Sequence, residues 1–329
     1  MTFPVHASVD EMLPGVVERA PLESVGKSGA RLERVRLGED WYVVKHLDED
    51  ADWTLRAAGI RGGAVVEMWR RGLLDRLPDC LAQPIVAVAQ DAADPGVGAL
   101  LMHDVGEYLV PATDEPVTHE QQDRFLDHMA ALHATFREAG PEIDLVSAEV
   151  RYLELSPRMA EAEASRGSTA LVPTLVARGW PLLEEVAPRA AQVVVPLVHE
   201  PGPLVAALAA TPQTLVHGNW KLDNLGTDPD GRTILLDWEL PGRGAPASDL
   251  AWYLAVNCRR LPTTKEQAIE TYRAALERRG VDTDPWWERQ LGLCLLGALV
   301  QFGWEKALGG RDDEMVWWEE QAVRGAGLL

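Results

Sequence analysis

The sequence predicts an α+β protein with a small β-rich N-terminal part, residues 1–105, and a larger, mostly helical part, residues 106–329. Three observations carry this expectation. Strand-like segments joined by tight turns crowd the first third, apolar residues recur at helical spacing beyond Gly106, and one β-like insert at residues 225–237 interrupts the helices. With 329 residues and 47% apolar content, the chain has ample material for a sizeable core.

In chain order, residues 31–37 and 41–45 read as a hairpin closed by the Gly38-Glu39-Asp40 turn. Residues 64–77 carry Val65, Val66, Trp69, Leu73, Leu74 and Leu77 near helical spacing, and Pro78 ends the pattern because it cannot continue a helix. Residues 85–89 and 99–102 are short apolar strands on either side of the turn-rich Asp91-Ala92-Ala93-Asp94-Pro95-Gly96. Residues 118–139 place Phe125, Met129, Leu132 and Phe136 on one helical face, and residues 262–279 and 286–308 are similarly periodic. The β insert runs from Leu225 through Asp228-Pro229-Asp230-Gly231 to residues 233–237, as a hairpin directly behind a polar loop. There is no internal repeat.

Composition narrows the function. A formal charge of −20 argues against nucleic acid, whose phosphates need a basic face; it suits cationic small molecules and serves solubility equally well. The richest apolar run, residues 293–300, falls far short of the roughly 20 residues of a membrane span. Asp10 and Glu11, close behind Met1, replace the basic and apolar regions of a signal peptide, so a cytoplasmic protein without a membrane partner is expected. Cys80, Cys258 and Cys294, odd in number and far apart, fit neither a disulfide framework nor a zinc site.

The polar loop is His217-Gly218-Asn219-Trp220-Lys221-Leu222-Asp223-Asn224. It has the spacing of a phosphotransferase catalytic loop, H-R-D-x-x-x-x-N, through His217, Asn219 and Asn224; Asp237 then follows a hairpin, where such enzymes hold a metal ion. Singly these are ordinary turn residues. Jointly, and with Asp249 and Leu250-Ala251 downstream, their spacing is specific. A Walker loop is excluded, because the glycine it needs five residues ahead of Gly26-Lys27-Ser28 is replaced by Pro21.

On these residues the chain resembles the aminoglycoside phosphotransferase and choline kinase-like family, whose fold is that of protein kinases, with a β-rich N-lobe and a helical C-lobe. The resemblance covers most of the chain and is most specific between Leu215 and Tyr253. It implies Mg²⁺ as cofactor, ATP or GTP as donor, and a small-molecule acceptor, with the nucleotide in the N-lobe and the acceptor in the C-lobe. Asn224 and Asp237 would offer hard oxygens to the metal, and His217 and Asp249 would brace the loop. Lys45, ending the strand Trp41-Tyr42-Val43-Val44, stands at the family's strand lysine, with Glu67 as the expected helix partner ahead of Glu23 and Asp75. Ser28 and Gly29, in Gly26-Lys27-Ser28-Gly29, would cover phosphates with backbone N–H groups. Met102, His103 and Val105 fall on the connector that faces the purine. For a cationic, amine-bearing acceptor the candidates are Glu239, Asp223, Trp252, Trp304 and Glu305, with Trp286, Trp287, Trp317 and Trp318 as further aromatic faces that serve equally as core. The run Asp312-Asp313-Glu314 reads as a solvated face.

One position departs from the pattern. The catalytic aspartate's place is taken by Asn219, whose amide can orient a hydroxyl but cannot accept its proton. Loss of a general base costs about 10² to 10⁴ in rate, so a site that gathers nucleotide but turns over slowly is expected. Three histories give this pattern: an aspartate replaced to trap a substrate complex, a natural binding module that has abandoned transfer, or an enzyme that needs no base at Asn219 and uses substrate-assisted proton transfer or a nearby carboxylate such as Asp223.

Overall fold

The computed structural model describes residues 4–22 and 28–329. The chain opens with helix α1 (Val9–Met12), then strands β1 (Val16–Leu22), β2 (Leu32–Leu37) and β3 (Asp40–Asp48), helices α2 (Trp53–Ala58) and α3 (Ala64–Arg70), and strands β4 (Leu81–Ala82), β5 (Ile85–Gln90) and β6 (Val97–His103). Five of these strands form one antiparallel sheet in the order β1-β2-β3-β6-β5. Lys45 lies on the central strand β3, in register with Leu32 and Leu100.

The expected single helix over residues 64–77 is two pieces. Gly72, at φ +64°, ends α3 in the left-handed conformation, and the Leu73 N–H returns to the Met68 carbonyl at 2.9 Å before a 3₁₀ turn at Leu74–Arg76.

Beyond the sheet the chain is helical: α4 (His119–Thr135), α5 (Ala148–Leu153), α6 (Pro157–Ser165), α7 (Leu171–Gly179), α8 (Leu183–Val186), α9 (Pro188–His199) and α10 (Gly202–Ala209). Then come β7 (Thr214–Val216), β8 (Leu225–Thr227), β9 (Thr233–Leu235) and β10 (Gly242–Gly244), followed by α11 (Ala247–Val256), α12 (Lys265–Arg278), α13 (Trp287–Gly309) and α14 (Asp313–Ala326). Thr118 and Thr264 start α4 and α12 with reciprocal capping boxes, so these helices begin where the sequence places a hydroxyl three residues ahead of glutamine.

The expected hairpin behind the loop is β8 and β9, joined by β4 into a three-stranded sheet that ties the N-terminal part to the helical part. Helix α13 is long and apolar enough to cross a membrane, although no uninterrupted run in the sequence is; most of its apolar surface is buried, against α7, α9, α11 and α14. The run 312–314 opens α14; Asp312 and Asp313 are exposed as expected, Asp312 accepting the Met315 N–H at 2.9 Å, while half-buried Glu314 accepts from the Trp318 indole at 2.7 Å.

Candidate active site

The polar loop between β7 and β8 is held from behind. One oxygen of Asp249, on α11, accepts the His217 N–H at 2.7 Å and the His133 imidazole Nε2–H at 3.1 Å, while the other accepts the Gly218 N–H at 2.8 Å. His133 in turn meets the Tyr272 hydroxyl at 2.5 Å. Burial pushes the Asp249 carboxyl up, but the hydrogen bonds and imidazoles outweigh it and the net shift is downward, so it stays ionised. Burial lowers His217 to about 4, so the ring is neutral; its Nε2–H donates to the Leu236 carbonyl at 2.9 Å and its Nδ1 accepts the Asn219 N–H at 3.2 Å. Gly218 is needed here: at φ +77° a side chain would be strained, and a Cβ would sit 2.5 Å from the Leu240 carbonyl oxygen.

In front of this brace, Asn224 and Asp237 approach each other through the β8–β9 hairpin. Asn224 donates its amide N–H to the Asn219 carbonyl at 3.0 Å, and its side-chain oxygen takes no hydrogen bond among the described residues. Asp237 has φ +60°, and among the described residues no other non-glycine has a positive φ. Strain at a residue that presents a carboxylate is the kind retained for function. Lys45 reaches across from β3 and pairs with Asp237 at 2.8 Å and Glu239 at 2.5 Å. Burial alone would pull the Lys45 pKa down, but the two carboxylates reverse that and raise it. Burial likewise pushes Asp237 up and is outweighed by Lys45 and Lys221, while Glu239 is raised by burial and by the neighbouring Asp237 and Asp52 charges.

Two sequence-derived assignments are corrected by this pairing. Glu67 is not the partner of Lys45: it faces its own helix, pairing with Arg70 at 2.7 Å and Arg71 at 3.6 Å. Glu239, expected at the acceptor, takes the lysine instead, and the Thr54 hydroxyl joins it at 3.2 Å to Asp52, at 2.6 Å. Asp223 is also displaced. The 3₁₀ turn Leu222–Asn224 sends its side chain outward, 60% exposed and 3.8 Å from Arg260.

The remaining candidates scatter. Met102 lines a narrow cleft with Lys45, Leu100, Asp237 and Glu239. His103 is exposed, stacks on Tyr42, and spends its N–H on the Pro84 carbonyl; Val105 makes no N–H bond among the described residues. Gly26, Lys27 and Glu23 lie outside the described residues. Ser28 and Gly29 dock on the start of α2: the Ser28 carbonyl accepts the Trp53 N–H at 3.3 Å and Gly29 lies against the Ala51 carbonyl. Trp252 is buried against Phe302, beside a second cavity behind the loop. Trp304 is buried against the Gly179–Trp180 turn, and Glu305 pairs with Lys306 at 3.1 Å. Trp287 and Trp318 are buried, and Trp286 and Trp317 half-buried, each stacked edge-on with its neighbour. Trp252, Trp287, Trp304 and Trp318 belong to the core, and Trp286 and Trp317 pack against it.

The "Phosphotransferase enzyme family" matches residues 71–287, which include the loop, Asp237 and Asp249. The chain belongs to this family. Among solved structures the fold resembles choline kinase LicA from Streptococcus pneumoniae, at 16% identity and TM-score 0.51 over 97% of this chain and 96% of that one. LicA in complex with AMP matches at 15% identity and TM-score 0.52, covering 95% and 92%. Aminoglycoside phosphotransferase APH(3'')-Id from Streptomyces rimosus matches at 18% identity and TM-score 0.47, covering 85% and 92%. The LicA likeness establishes a kinase-like two-lobe fold. No curated protein matches the chain.

Three groups in this phosphotransferase-family site escaped the sequence reading. Lys221, two residues past Asn219, is half-buried and pairs with no carboxylate among the described residues, although its charge acts on Asp237, His217 and Glu154. Its place inside the loop was a usable signal. Asp52 caps α2, with its other oxygen buried and unbonded. Glu154, at the end of α5, is buried with an unbonded oxygen. Nothing in its sequence neighbourhood marks it.

Proposed function

We propose that the chain moves the γ-phosphoryl group of a purine nucleoside triphosphate to a hydroxyl of a small, amine-bearing or sugar-like acceptor, such as a metabolite or an antibiotic, in the cytoplasm. One observation carries this reading: Lys45, far away in sequence, meets Asp237 at 2.8 Å, beside a loop whose Asn224 is bonded to Asn219. The AMP bound to LicA supports a purine donor.

The residues present fit Mg²⁺. Among the described residues no group of three or more His, Cys, Asp or Glu could hold a metal alone. Asn224 and Asp237 supply two hard oxygens, the modest protein share typical of an ion that keeps waters and binds the substrate's phosphates. Bound there, Mg²⁺ would neutralise charge on the phosphate oxygens. Lys45, a compact point charge, would exchange its carboxylates for the α- and β-phosphates, leaving Glu239 to hold it in place. Lys221 offers a cation to the group in transfer, where pre-organised charge contributes most. The Asn219 amide, buried and without a side-chain hydrogen bond among the described residues, would orient the acceptor hydroxyl.

That same amide favours a second reading, a nucleotide-binding module that transfers nothing. Transfer from ATP and GTP with Mg²⁺ to aminoglycosides, nucleosides and amino alcohols separates the two, using the chain and its Asn219→Asp form. Transfer by either form is expected. Nucleotide binding without transfer by both would leave the module.

A further inference from the structure

Lys45 is held from a side that the sequence did not indicate. Glu67 is the only carboxylate on α3, and it is spent on Arg70 and Arg71. Glu239 takes its place, 8% exposed against a lysine that is 7% exposed. A buried carboxylate can hold a lysine in one direction only if its own second oxygen is fixed.

Thr54, in the first turn of α2, fixes it. The Thr54 hydroxyl lies 3.2 Å from Oε2 of Glu239 and 2.6 Å from Oδ1 of Asp52, while Oε1 of Glu239 meets the Lys45 Nζ at 2.5 Å. One hydroxyl proton shared between two acceptors is a three-centre bond, so Asp52, Thr54, Glu239 and Lys45 form a single chain. Capping the helix does not call for that hydroxyl, because Oδ1 of Asp52 already accepts the Thr54 backbone N–H at 2.8 Å.

Helix α2 is tied down where it presents Thr54. It follows β3, the strand of Lys45, and its Leu55 lines the same cleft as Lys45, Asp237 and Glu239. The Trp53 N–H donates to the Ser28 carbonyl at 3.3 Å, and the Arg56 guanidinium grips Glu163, on α6, with two bonds of 2.7 and 2.6 Å. These contacts leave the hydroxyl little freedom to turn from Glu239.

We propose that Thr54 is the positioning residue for Lys45. By holding Oε2 of Glu239 it keeps Oε1 on the lysine, and the ammonium stays directed at the donor's phosphates when Lys45 leaves Asp237 to the metal. The inference rests on the nucleotide placement proposed above, and it gives α2 the part that the sequence assigned to α3. Thr54 acts through Glu239 and touches no reacting atom.

The experiment measures binding to the full chain by calorimetry, for ATP with Mg²⁺ and for adenosine, which has no phosphate for Lys45 to meet. Two pairs differ by the hydroxyl alone, the wild-type chain against Thr54→Val and Thr54→Ser against Thr54→Ala, so that either pair decides if a variant of the other fails to fold. In each pair, loss of the hydroxyl is expected to weaken ATP about tenfold, the scale of one hydrogen bond to a charged group, and to leave adenosine unchanged. In a Lys45→Ala background the same substitutions should cost ATP nothing further, because the group they position is gone. Equal weakening of ATP and adenosine would make Thr54 a packing residue and overturn the inference. So would unchanged ATP affinity, or a loss that persists without Lys45. Full ATP affinity in Lys45→Ala itself would overturn the placement of the phosphates, and the inference with it. A wild-type chain that shows the expected affinities yet moves no phosphate to choline, kanamycin or water would sink the transfer reading and leave the role of Thr54 standing.

Discussion

The back and the front of the polar loop at residues 217–224 are built on opposite terms. Behind it, both oxygens of Asp249 and both ring nitrogens of His217 are partnered within the protein. In front, one oxygen each of Asp52 and Glu154 is buried without a partner, and Lys45 is shared between two carboxylates of opposite pKa tendency. The exceptions behind are the indole N–H groups of Trp220 and Trp238, which flank the His217 ring, and the Trp252 indole and Tyr253 hydroxyl on α11; none of the four has a hydrogen-bond partner among the described residues. The difference separates scaffold from site. The brace is complete without a ligand, whereas the front holds charge and polar atoms that nucleotide, metal and acceptor would complete.

The largest way to break this contrast is to remove the brace. Asp249→Ala leaves the His217 and Gly218 N–H groups and the His133 imidazole without their acceptor in a buried place, and is expected to cost about 3–5 kcal/mol of unfolding free energy in denaturant titrations. A loss below about 1 kcal/mol would show that the loop is held by packing instead.

Next in size is acid. His217 is neutral in the fold with its pKa lowered to about 4, so the unfolded chain takes up a proton first as pH falls. Its contribution is present above pH ~6.5 and is lost as pH falls toward 4, about 3 kcal/mol in all. Glu154 acts in the other direction: with its carboxyl raised to about 8, its contribution is full below pH ~4.3 and is lost as pH rises through 8. Unfolding free energies measured from pH 4 to 9 for the wild-type chain, His217→Asn and Glu154→Gln should show each slope disappear with its own residue. A slope that survives its substitution assigns the proton elsewhere.

How much of this could be read from the sequence depended on distance. The loop was legible because its chemistry is local: His217, Asn219 and Asn224 lie within one turn, and Asp237 follows one hairpin later. Lys45 was legible from its strand, but its partner was not, because Glu239 is 194 residues away and only the fold brings them to 2.5 Å. Asp223 looked suitable because it is close in sequence, yet the 3₁₀ turn points it outward. The helices from α5 to α10 went unplaced, since pieces of four to twelve residues, several opened by proline, give too few turns for a helical period to register. Glu154 sits among them, which is why the group most in need of a partner gave no signal.

The smallest expected effect sharpens the correction at Lys45. Glu67→Ala removes a partly exposed pair within α3 and should change stability by no more than about 1 kcal/mol and ATP affinity not at all. A marked loss of ATP binding would return Glu67 to the site.

The central claim is that the front face transfers phosphate through Asp237. It is tested most directly by following the γ-phosphate of labelled ATP into choline, kanamycin and water, with Mg²⁺, in the wild-type chain and in Asp237→Ala. The expected result is label in an acceptor or in inorganic phosphate with the wild-type chain, reduced roughly 10³-fold by the substitution, the scale of losing a pre-organised charge-stabilising group. Equal transfer by both forms, or ATP bound by the wild-type chain with no transfer at all, would contradict it.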